Sequence, residues 1–292
     1  MLIDTHAHLD FPDFAPDLDA ELDPAAAAGV TRSISIRTSI ESSRRAVALA
    51  EKYPQVFAVI GVHPNSAHEV EGDFIGELRA LAQSPRVVAL GETGLDYYRL
   101  PGARRPPESL AALGNETPGE IDAAIVDGAR KSIQAAVFEQ QLDLAVELGL
   151  NVVIHEREAW DDTLAILRGY TGRLRAVFHC FGKSPAYAEQ LFALGHLVSF
   201  TGIVTFKNAA DAQAAAAQAP ADRFMVETDC PFLAPIPFRG KRCEPAHTRQ
   251  TAEQVARLRG ETLEALAAQT SRTAESFFRN PTRFRISSSS SL

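Results

Sequence analysis

Six side chains of the types that bind metal ions lie where short apolar runs of the sequence end. They are His6, His8, Glu92, His155, His179 and Asp229. Each follows a run rich in Val, Ile, Leu or Phe, which is the composition of a buried parallel strand. Imidazole and carboxylate ligands suit borderline divalent ions such as Zn²⁺ or Mn²⁺, and Mg²⁺ where waters complete the coordination shell. If the strand ends converge, these six side chains predict a metal centre.

The first two histidines are spaced so that both can face one ion. Because alternate residues of a strand point the same way, His6 and His8 present their imidazoles on one side if the strand stays extended. An HxH pair alone is a weak signal, since a single histidine is more often a buried ring bonded to a backbone carbonyl. Glu92 alone could be an N-cap or an ion-pair partner, and Asp229 alone could cap the helix or turn that follows it. Recurrence at the ends of five predicted strands argues against coincidence.

The number of candidate ligands predicts two ions rather than one, since an open catalytic zinc site uses about three protein ligands. Two ions roughly 3.5–4 Å apart can share one carboxylate and one water, whose pKa then falls toward neutrality. Glu92 is our candidate for the shared carboxylate. With Glu92, Asp229 and a bridging hydroxide, the site would keep a small net positive charge, which favours a phosphodiester or another anionic electrophile.

Alternating strand and helix patterns must position these side chains. Strand candidates cover residues 2–6, 31–36, 56–61, 87–91, 151–155, 175–179, 196–200 and 223–227. Helical periodicity covers 17–28, 40–52, 72–82, 131–148, 159–168, 185–194 and 208–218, followed by a helical tail over 246–278. This order predicts an α/β fold, a TIM-type (β/α)₈ barrel with some distortion allowed, whose strand carboxyl ends open on one face. An open doubly wound sheet is the alternative, but it would gather ligands mainly at one switch point.

A single domain over residues 1–280 is expected, because a barrel of this kind commonly occupies about 250 residues or more as one unit. The segment 99–130 is rich in Pro and Gly and is inserted between strand 4 and its helix. On the catalytic face it could be a lid or a tolerated surface insertion. The serine-rich end, 281–292, is predicted to be a disordered tail.

Composition argues against some classes of protein. Hydrophobic residues make up 46% of the chain and charged residues 23%, as in globular domains, and no apolar run approaches the roughly 20 residues of a membrane span. No signal-peptide pattern precedes His6, so a cytoplasmic protein is expected. Cys180, Cys230 and Cys243 lack CxxC spacing and are predicted to be free thiols. The net charge of −8 argues against a broad basic surface for duplex DNA, although bound cations can make one cleft positive.

Taken together, the motifs resemble those of the TatD family of metal-dependent hydrolases, within the amidohydrolase-like group of barrels. The resemblance covers about residues 1–278 and rests on IDTHAHLD, IGVHPNSA, GETGLDYY, FEQQLDLAVELGLNVVIHERE, FHCF, GIVTFKNA, VETDCPFLAP and FRGKRCEPAH. It implies one to three divalent ions and a hydrolase, usually described as a deoxyribonuclease with 3′→5′ exonuclease action on single-stranded DNA. Some relatives are described as removing D-amino acids from mischarged tRNA. The six candidate ligands match the metal-binding positions of the family.

Further roles follow from the same match. Asp229 would bind metal and accept a proton from the attacking water, and Glu92 would act in catalysis as the bridging carboxylate. The predicted substrate contacts are His63 with a phosphate or a water, Lys207, Arg239 and Lys241 with phosphates, and Tyr97, with Tyr98 and Phe206, stacking on a terminal base. Each of the three cations, taken alone, is more often a solvated surface group.

The chain departs from the family pattern at two places. Glu156 stands after the strand-5 histidine, where relatives have Cys, Ser or Thr, and strand alternation predicts that it points outward and pairs with a basic neighbour. The insertion 99–130 leaves the size and approach of the substrate open.

Several functions are compatible with such a site. The leading hypothesis is a DNase with a nucleic acid substrate, and neither a membrane nor a stable protein partner is expected. The alternatives are a D-aminoacyl-tRNA deacylase, a small-molecule amidase or lactonase, and a non-catalytic metal-stabilised scaffold. The amidase is less favoured, because the carbamylated lysine of many barrel amidases has no obvious counterpart. The scaffold is less favoured because all six ligands are intact.

Overall fold

Eight parallel strands form one sheet in which each strand pairs with its neighbours in chain order. The computed structural model describes residues 1–14, 17–102 and 123–278. The strands are β1 (Leu2–Ala7), β2 (Val30–Ser35), β3 (Val56–Ile60), β4 (Val87–Asp96), β5 (Val152–Arg157), β6 (Ala176–Phe178), β7 (Leu197–Phe200) and β8 (Phe224–Val226). The eight predicted strands are thus confirmed, because each apolar run is buried as the pattern indicated.

Within the residues that the structure describes, a helix follows each strand, and two follow β8. The helices are α1 (Leu18–Ala27), α2 (Ile40–Lys52), α3 (Phe74–Leu81), α4 (Ala123–Leu148), α5 (Trp160–Arg168), α6 (Pro185–Ala193), α7 (Ala210–Gln218), α8 (Thr248–Arg259) and α9 (Leu263–Phe277). Hydroxyl caps fix two of the starts: Ser39 accepts a hydrogen bond from the Ser42 amide before α2, and Thr262 accepts one from the Ala265 amide before α9.

Two elements are longer by at least five residues than the sequence pattern indicates. The prediction ended strand 4 at residue 91. In the structure β4 continues to Asp96, since Thr93 to Asp96 pair with Ile154 to Arg157 of β5. Pairing with a neighbouring strand overrides the weak strand preference of these residues. The helix predicted to begin at residue 131 begins at Ala123.

The sheet closes between β1 and the segment that follows β8. The Asp229 amide donates to the His6 carbonyl at 2.8 Å, and the His8 amide donates to the Cys230 carbonyl at 2.8 Å. These bonds continue the parallel pairing, with Ala7 opposite Cys230. The architecture is therefore the predicted TIM-type barrel, and the open doubly wound sheet is excluded.

An apolar interior fills the barrel below its open end. Every strand contributes to one buried cluster, through Ile3, Ile34, Phe57, Val59, Val88, Ala89, Val153, Val177, Leu197 and Met225. Phe277 and Phe278, at the end of α9, belong to the same cluster. Asn151, just before β5, donates to the Phe277 carbonyl, which places these rings at the amino ends of the strands. The interior is thus packed at the amino end of the barrel, and a site is expected at the carboxyl end.

Parts of the prediction fall outside the described residues. Residues 103–122, which make up most of the insertion, lie there, as does the predicted tail at 281–292. The lid, the disordered tail and the domain boundary at residue 280 therefore stay predictions.

Two smaller expectations concern cysteines and membranes. Cys180, Cys230 and Cys243 are free thiols, as predicted. Within the described ranges, no helix has both the length and the apolar character that crossing a bilayer would require.

Candidate metal centre

The six predicted ligands meet at the carboxyl end of the barrel. His6 lies in β1, Glu92 in β4 and His155 in β5, whereas His8, His179 and Asp229 follow β1, β6 and β8. His6 and Glu92 are buried, while the side chains of His155 and Asp229 remain 17% and 13% exposed. The cluster is therefore open to solvent on one side.

Glu92 lies between two groups of imidazoles. Its Oε1 is 2.8 Å from Nε2 of His179 and 2.9 Å from Nδ1 of His155. Its Oε2 is 3.5 Å from Nε2 of His6. One carboxylate thus offers separate oxygens to two sets of ligands, which is the arrangement that a bridging carboxylate needs.

The first group consists of His6, His8 and Asp229. Asp229 Oδ1 is 3.2 Å from Nε2 of His8 and 3.6 Å from Nε2 of His6. Nδ1 of His8 lies 3.2 Å from the carbonyl of Ile36, so a proton on Nδ1 leaves the Nε2 lone pair available to an ion. Asp229 has a φ of 60°, and its bond to the His6 carbonyl holds it in that conformation.

The second group consists of His155 and His179, and each faces a further carboxylate through its second nitrogen. Nε2 of His155 is 3.2 Å from Oδ2 of Asp96. Nδ1 of His179 is 3.6 Å from Oε1 of Glu227. Carboxylates in these positions fix the tautomer of a ligand histidine and orient its ring toward the ion.

The donor set fits divalent cations. Within the described part of the chain, neither ring nitrogen of the fully buried His6 has a hydrogen-bond partner, and Nδ1 of His179 has none either. Buried polar atoms normally find a partner, so unsatisfied imidazole nitrogens beside carboxylates are typical of metal ligands. Ligand atoms lie within 4.8 Å of one another in three groups: His6 with His8 and Asp229, His6 with His179 and Glu227, and His63 with Glu92 and His155.

The charges of the cluster are strongly coupled. Burial opposes ionisation of Glu92, but the charge of His179 contributes to holding its pKa well below the ordinary value. Burial also opposes protonation of His179, yet Glu92 and Glu227 outweigh it and raise the pKa of this imidazole well above its usual value. Binding of a cation would displace such a proton, because an imidazole ligand must be neutral.

His63 also faces the cluster, and its own hydrogen bond determines which ring nitrogen carries the proton. Its Nε2 is 3.6 Å from Oε1 of Glu92, and its Nδ1 accepts a hydrogen bond from the Asn65 amide at 3.0 Å. Burial lowers the pKa of His63 to about 3. A neutral ring whose Nδ1 accepts must carry its proton on Nε2, so His63 presents an N–H donor to the site.

Three acidic residues of the site were missed by the sequence reasoning. Asp96 and Glu227 contact His155 and His179 as described above. Asp4 accepts hydrogen bonds from the amide of Thr228, at 2.9 Å, and from its hydroxyl, at 2.6 Å, and so ties β1 to the chain before Asp229. A signal existed for Asp4 and Glu227, which lie within or directly after apolar runs that carry predicted ligands.

The remaining predicted substrate contacts lie around the opening rather than in the cluster. Lys207, Arg239 and Lys241 are exposed on the loops after β7 and β8, and the guanidinium of Arg239 lies 4.6 Å from the ring centre of Phe206. Tyr97 is half-buried, and its hydroxyl donates to Asp162 at 2.7 Å.

Glu156 does not contact the ligand cluster. Its carboxylate is 3.3 Å from the amine of Lys183 and accepts a hydrogen bond from the Ala159 amide. The predicted basic partner of Glu156 is therefore present.

Comparisons with known proteins agree with the geometry. A family model described as TatD related DNase matches residues 3–279. The chain is 35% identical over 280 residues to the uncharacterized metal-dependent hydrolase YabD of Bacillus subtilis, covering 96% of this chain and 99% of that protein. It is 34% identical over 284 residues to a protein of Erwinia tasmaniensis named 3′-5′ ssDNA/RNA exonuclease TatD, covering 95% and 99% of the two chains.

A solved structure shows the same architecture. The crystal structure of YjjV, a TatD homolog from Escherichia coli, superposes with a TM-score of 0.80 at 29% identity, covering 96% of this chain and 98% of that one.

Proposed function

This chain belongs to the TatD family of metal-dependent hydrolases, and we propose that it is a deoxyribonuclease that shortens single-stranded DNA from its 3′ end with the help of two divalent ions. Mg²⁺, Mn²⁺ and Zn²⁺ are the candidate cofactors. The observation that carries the proposal is the position of Glu92, whose two oxygens face two separate imidazole groups.

The ligands divide accordingly between two ions. His6, His8 and Asp229 would hold one ion, His155 and His179 the other, and Glu92 would join them. When bound, two such ions lower the pKa of a shared water and neutralise charge that develops on phosphate oxygens. The carbonyl of Ile36 and the carboxylate of Asp96 keep two of the imidazoles oriented for this task.

Asp229 is suited to take a proton during hydrolysis. Burial opposes its ionisation, but its contacts with His8 and His6 lower its pKa below the ordinary value. Asp229 is therefore a carboxylate at neutral pH, and its Oδ1 faces the cluster. A carboxylate in this position can accept the proton of the attacking water.

His63 and the surface cations would bind the phosphates. The Nε2–H of His63 points toward Glu92 Oε1, where it could donate to an oxygen of the scissile phosphate. Lys207, Arg239 and Lys241 lie on loops around the same opening and would hold neighbouring phosphates. Support for a nucleic acid comes from the name of the Erwinia relative, which describes an exonuclease on single-stranded DNA and RNA.

The test is hydrolysis of 5′-end-labelled single-stranded DNA by purified protein with Mg²⁺, Mn²⁺ or Zn²⁺. We expect a ladder of products shortened from the 3′ end, abolished by EDTA. The variant Glu92→Gln keeps the shape of the side chain but removes its charge, and its rate should fall by about 100-fold or more. Glu189→Gln makes the same change on the exposed face of α6 and should leave the rate unchanged.

Other outcomes would assign a different function. Release of amino acid from D-aminoacyl-tRNA without hydrolysis of DNA would indicate the deacylase, and turnover of amides or lactones alone would indicate the small-molecule hydrolase. Metal binding without any hydrolysis would indicate the scaffold. Equal DNA hydrolysis by wild type and Glu92→Gln would show that the activity does not belong to this site.

A further inference from the structure

We propose that Phe11 and Phe232 form a stacking surface for a nucleobase next to the scissile phosphate, an inference that rests on the proposed DNase function. We call these two residues the aromatic pair. Neither was among the residues that the sequence analysis selected for substrate contact.

The aromatic pair is tied directly to the metal ligands. Phe11 stands three residues after His8, and its amide donates to the His8 carbonyl at 3.1 Å. Phe232 stands three residues after Asp229, and its amide donates to the Asp229 carbonyl at 3.0 Å. Two equivalent turns thus place one phenylalanine three residues after each of these predicted ligands. Nε2 of His8 and Oδ1 of Asp229 are 3.2 Å apart.

The two rings meet at the rim of the site. Their centres are 5.7 Å apart and their planes are inclined at 80°, which is an edge-to-face contact. The ring of Phe11 also stacks on that of His8, at 4.9 Å and 13°. Phe232 is 6.2 Å from the His8 ring. The Phe232 ring therefore packs against Phe11, which itself stacks on the predicted metal ligand His8.

Phe232 is unusual in its exposure. Its relative exposure is 50%, and among the described residues it is the only exposed phenylalanine. A supported aromatic ring that faces solvent beside a phosphate site can stack on a base without reading its identity. The position suits a nucleotide whose phosphate lies at the ligand cluster and whose base extends over the rim.

The aromatic residues selected from the sequence are less available for stacking. The amine of Lys131 lies 4.2 Å from the ring centre of Tyr97, and the guanidinium of Arg157 lies 3.7 Å from that of Tyr98. Arg239 lies over Phe206 in the same way. Each of these rings already has a cation on one face, whereas no such contact is found for Phe232 within the described ranges.

The test compares binding of hydrolysis-resistant phosphorothioate oligonucleotides that carry 2-aminopurine at one of the two nucleotides flanking the terminal linkage. Stacking quenches 2-aminopurine fluorescence. With the metal-loaded protein, Phe232→Ala should weaken binding by about ten-fold and abolish the quenching, whereas Phe232→Trp should retain both. Ile236→Ala removes another exposed apolar side chain from the same loop, 43% exposed, and should change neither quantity.

A second comparison ties the effect to the base. The loss of affinity in Phe232→Ala should disappear when an abasic unit replaces the nucleotide that is quenched. If Phe232→Ala weakens binding equally with the base and with the abasic unit, or leaves the quenching unchanged, the proposal is overturned. A wild-type dimer that dissociates in Phe232→Ala without loss of DNA affinity would overturn it as well, because the surface would then belong to self-association.

The outcomes separate this inference from the proposed function. Wild-type protein that hydrolyses DNA but shows no role for Phe232 would contradict only the stacking surface. Wild-type protein that neither binds nor hydrolyses single-stranded DNA would contradict the proposed function itself.

Discussion

Asp96 Oδ2 lies 3.2 Å from Nε2 of His155, while Nδ1 of the same ring lies 2.9 Å from Glu92. Burial opposes ionisation of Asp96, but its bond to His155 lowers the pKa of the carboxyl below the ordinary value. Asp96 is therefore an anion that holds the His155 ring in one orientation. Such an outer carboxylate makes the ligand more basic and fixes the nitrogen that faces the metal.

The first prediction concerns this contact. Asp96→Asn should weaken metal binding by about 10- to 100-fold, because a neutral amide polarises the imidazole less than a carboxylate does. Titration calorimetry with Mn²⁺ measures the effect. Asp162→Asn is the matched control, since Asp162 binds the Tyr97 hydroxyl and contacts none of the ligands. Equal affinities of Asp96→Asn and wild type would mean that Asp96 has no such role.

The second prediction separates His63 from the metal ligands. Because its Nδ1 accepts from the Asn65 amide, His63 should act as a donor to substrate, so His63→Ala should lower kcat by about 100-fold while the bound metal stays constant. His68→Ala, on the short helix Pro64–Glu69 that follows His63, should change neither kcat nor the amount of bound metal. Loss of one equivalent of metal in His63→Ala, measured by elemental analysis, would instead make His63 a ligand.

The third prediction concerns metal removal. Ions that bind only the folded protein stabilise it, by about 2.7 kcal/mol at 100 times the dissociation constant. EDTA should therefore lower the Tm of the wild type by roughly 5 °C, and Mn²⁺ should restore it. In Glu92→Gln the Tm in EDTA and the Tm in Mn²⁺ should lie much closer together, because the side chain between the imidazole groups has lost its charge. If Mn²⁺ raises the Tm of Glu92→Gln as much as that of the wild type, Glu92 is not a ligand.

The fourth prediction concerns His196, at the amino-terminal side of β7 and far in the fold from the ligands. It is fully buried, and its Nδ1 accepts a hydrogen bond from the Ala176 amide at 3.2 Å. Burial lowers the pKa of His196 from 6.5 to about 4. Since the unfolded chain takes up the proton first as pH falls, the stability due to His196 is complete above about pH 6.5 and is lost as pH falls toward about 4.

Urea unfolding at two pH values measures this contribution. Between pH 7.5 and pH 5, wild type should lose about 2 kcal/mol more of its free energy of unfolding than His196→Gln, whose side chain does not titrate. Parallel losses in the two proteins would show that His196 does not titrate in this range.

The sequence was sufficient to predict the barrel and the six converging side chains, because both depend on local patterns. Buried parallel strands are continuous apolar runs, and a polar residue that ends such a run stands out, as His155 and His179 do. In a closed barrel all those ends share one face, so convergence follows from topology alone.

The other features of the site depend on contacts between distant segments of the chain. Asp96 lies in a stretch that resembles a turn until its pairing with β5 is known, so neither the end of β4 nor its bond to His155 could be predicted. The exposure of Phe232 is set by the turn after Asp229 and by the ring of Phe11, which stands more than two hundred residues earlier in the chain. Such relations have no periodicity in the sequence.

The central claim is that Glu92 joins two cations at the carboxyl end of the barrel. Anomalous diffraction from crystals soaked in Mn²⁺ measures this directly. We predict two peaks roughly 3.5–4 Å apart, one beside His6, His8 and Asp229 and the other beside His155 and His179, with one Glu92 oxygen bound to each. A single peak, or two peaks that Glu92 does not touch, would contradict the account.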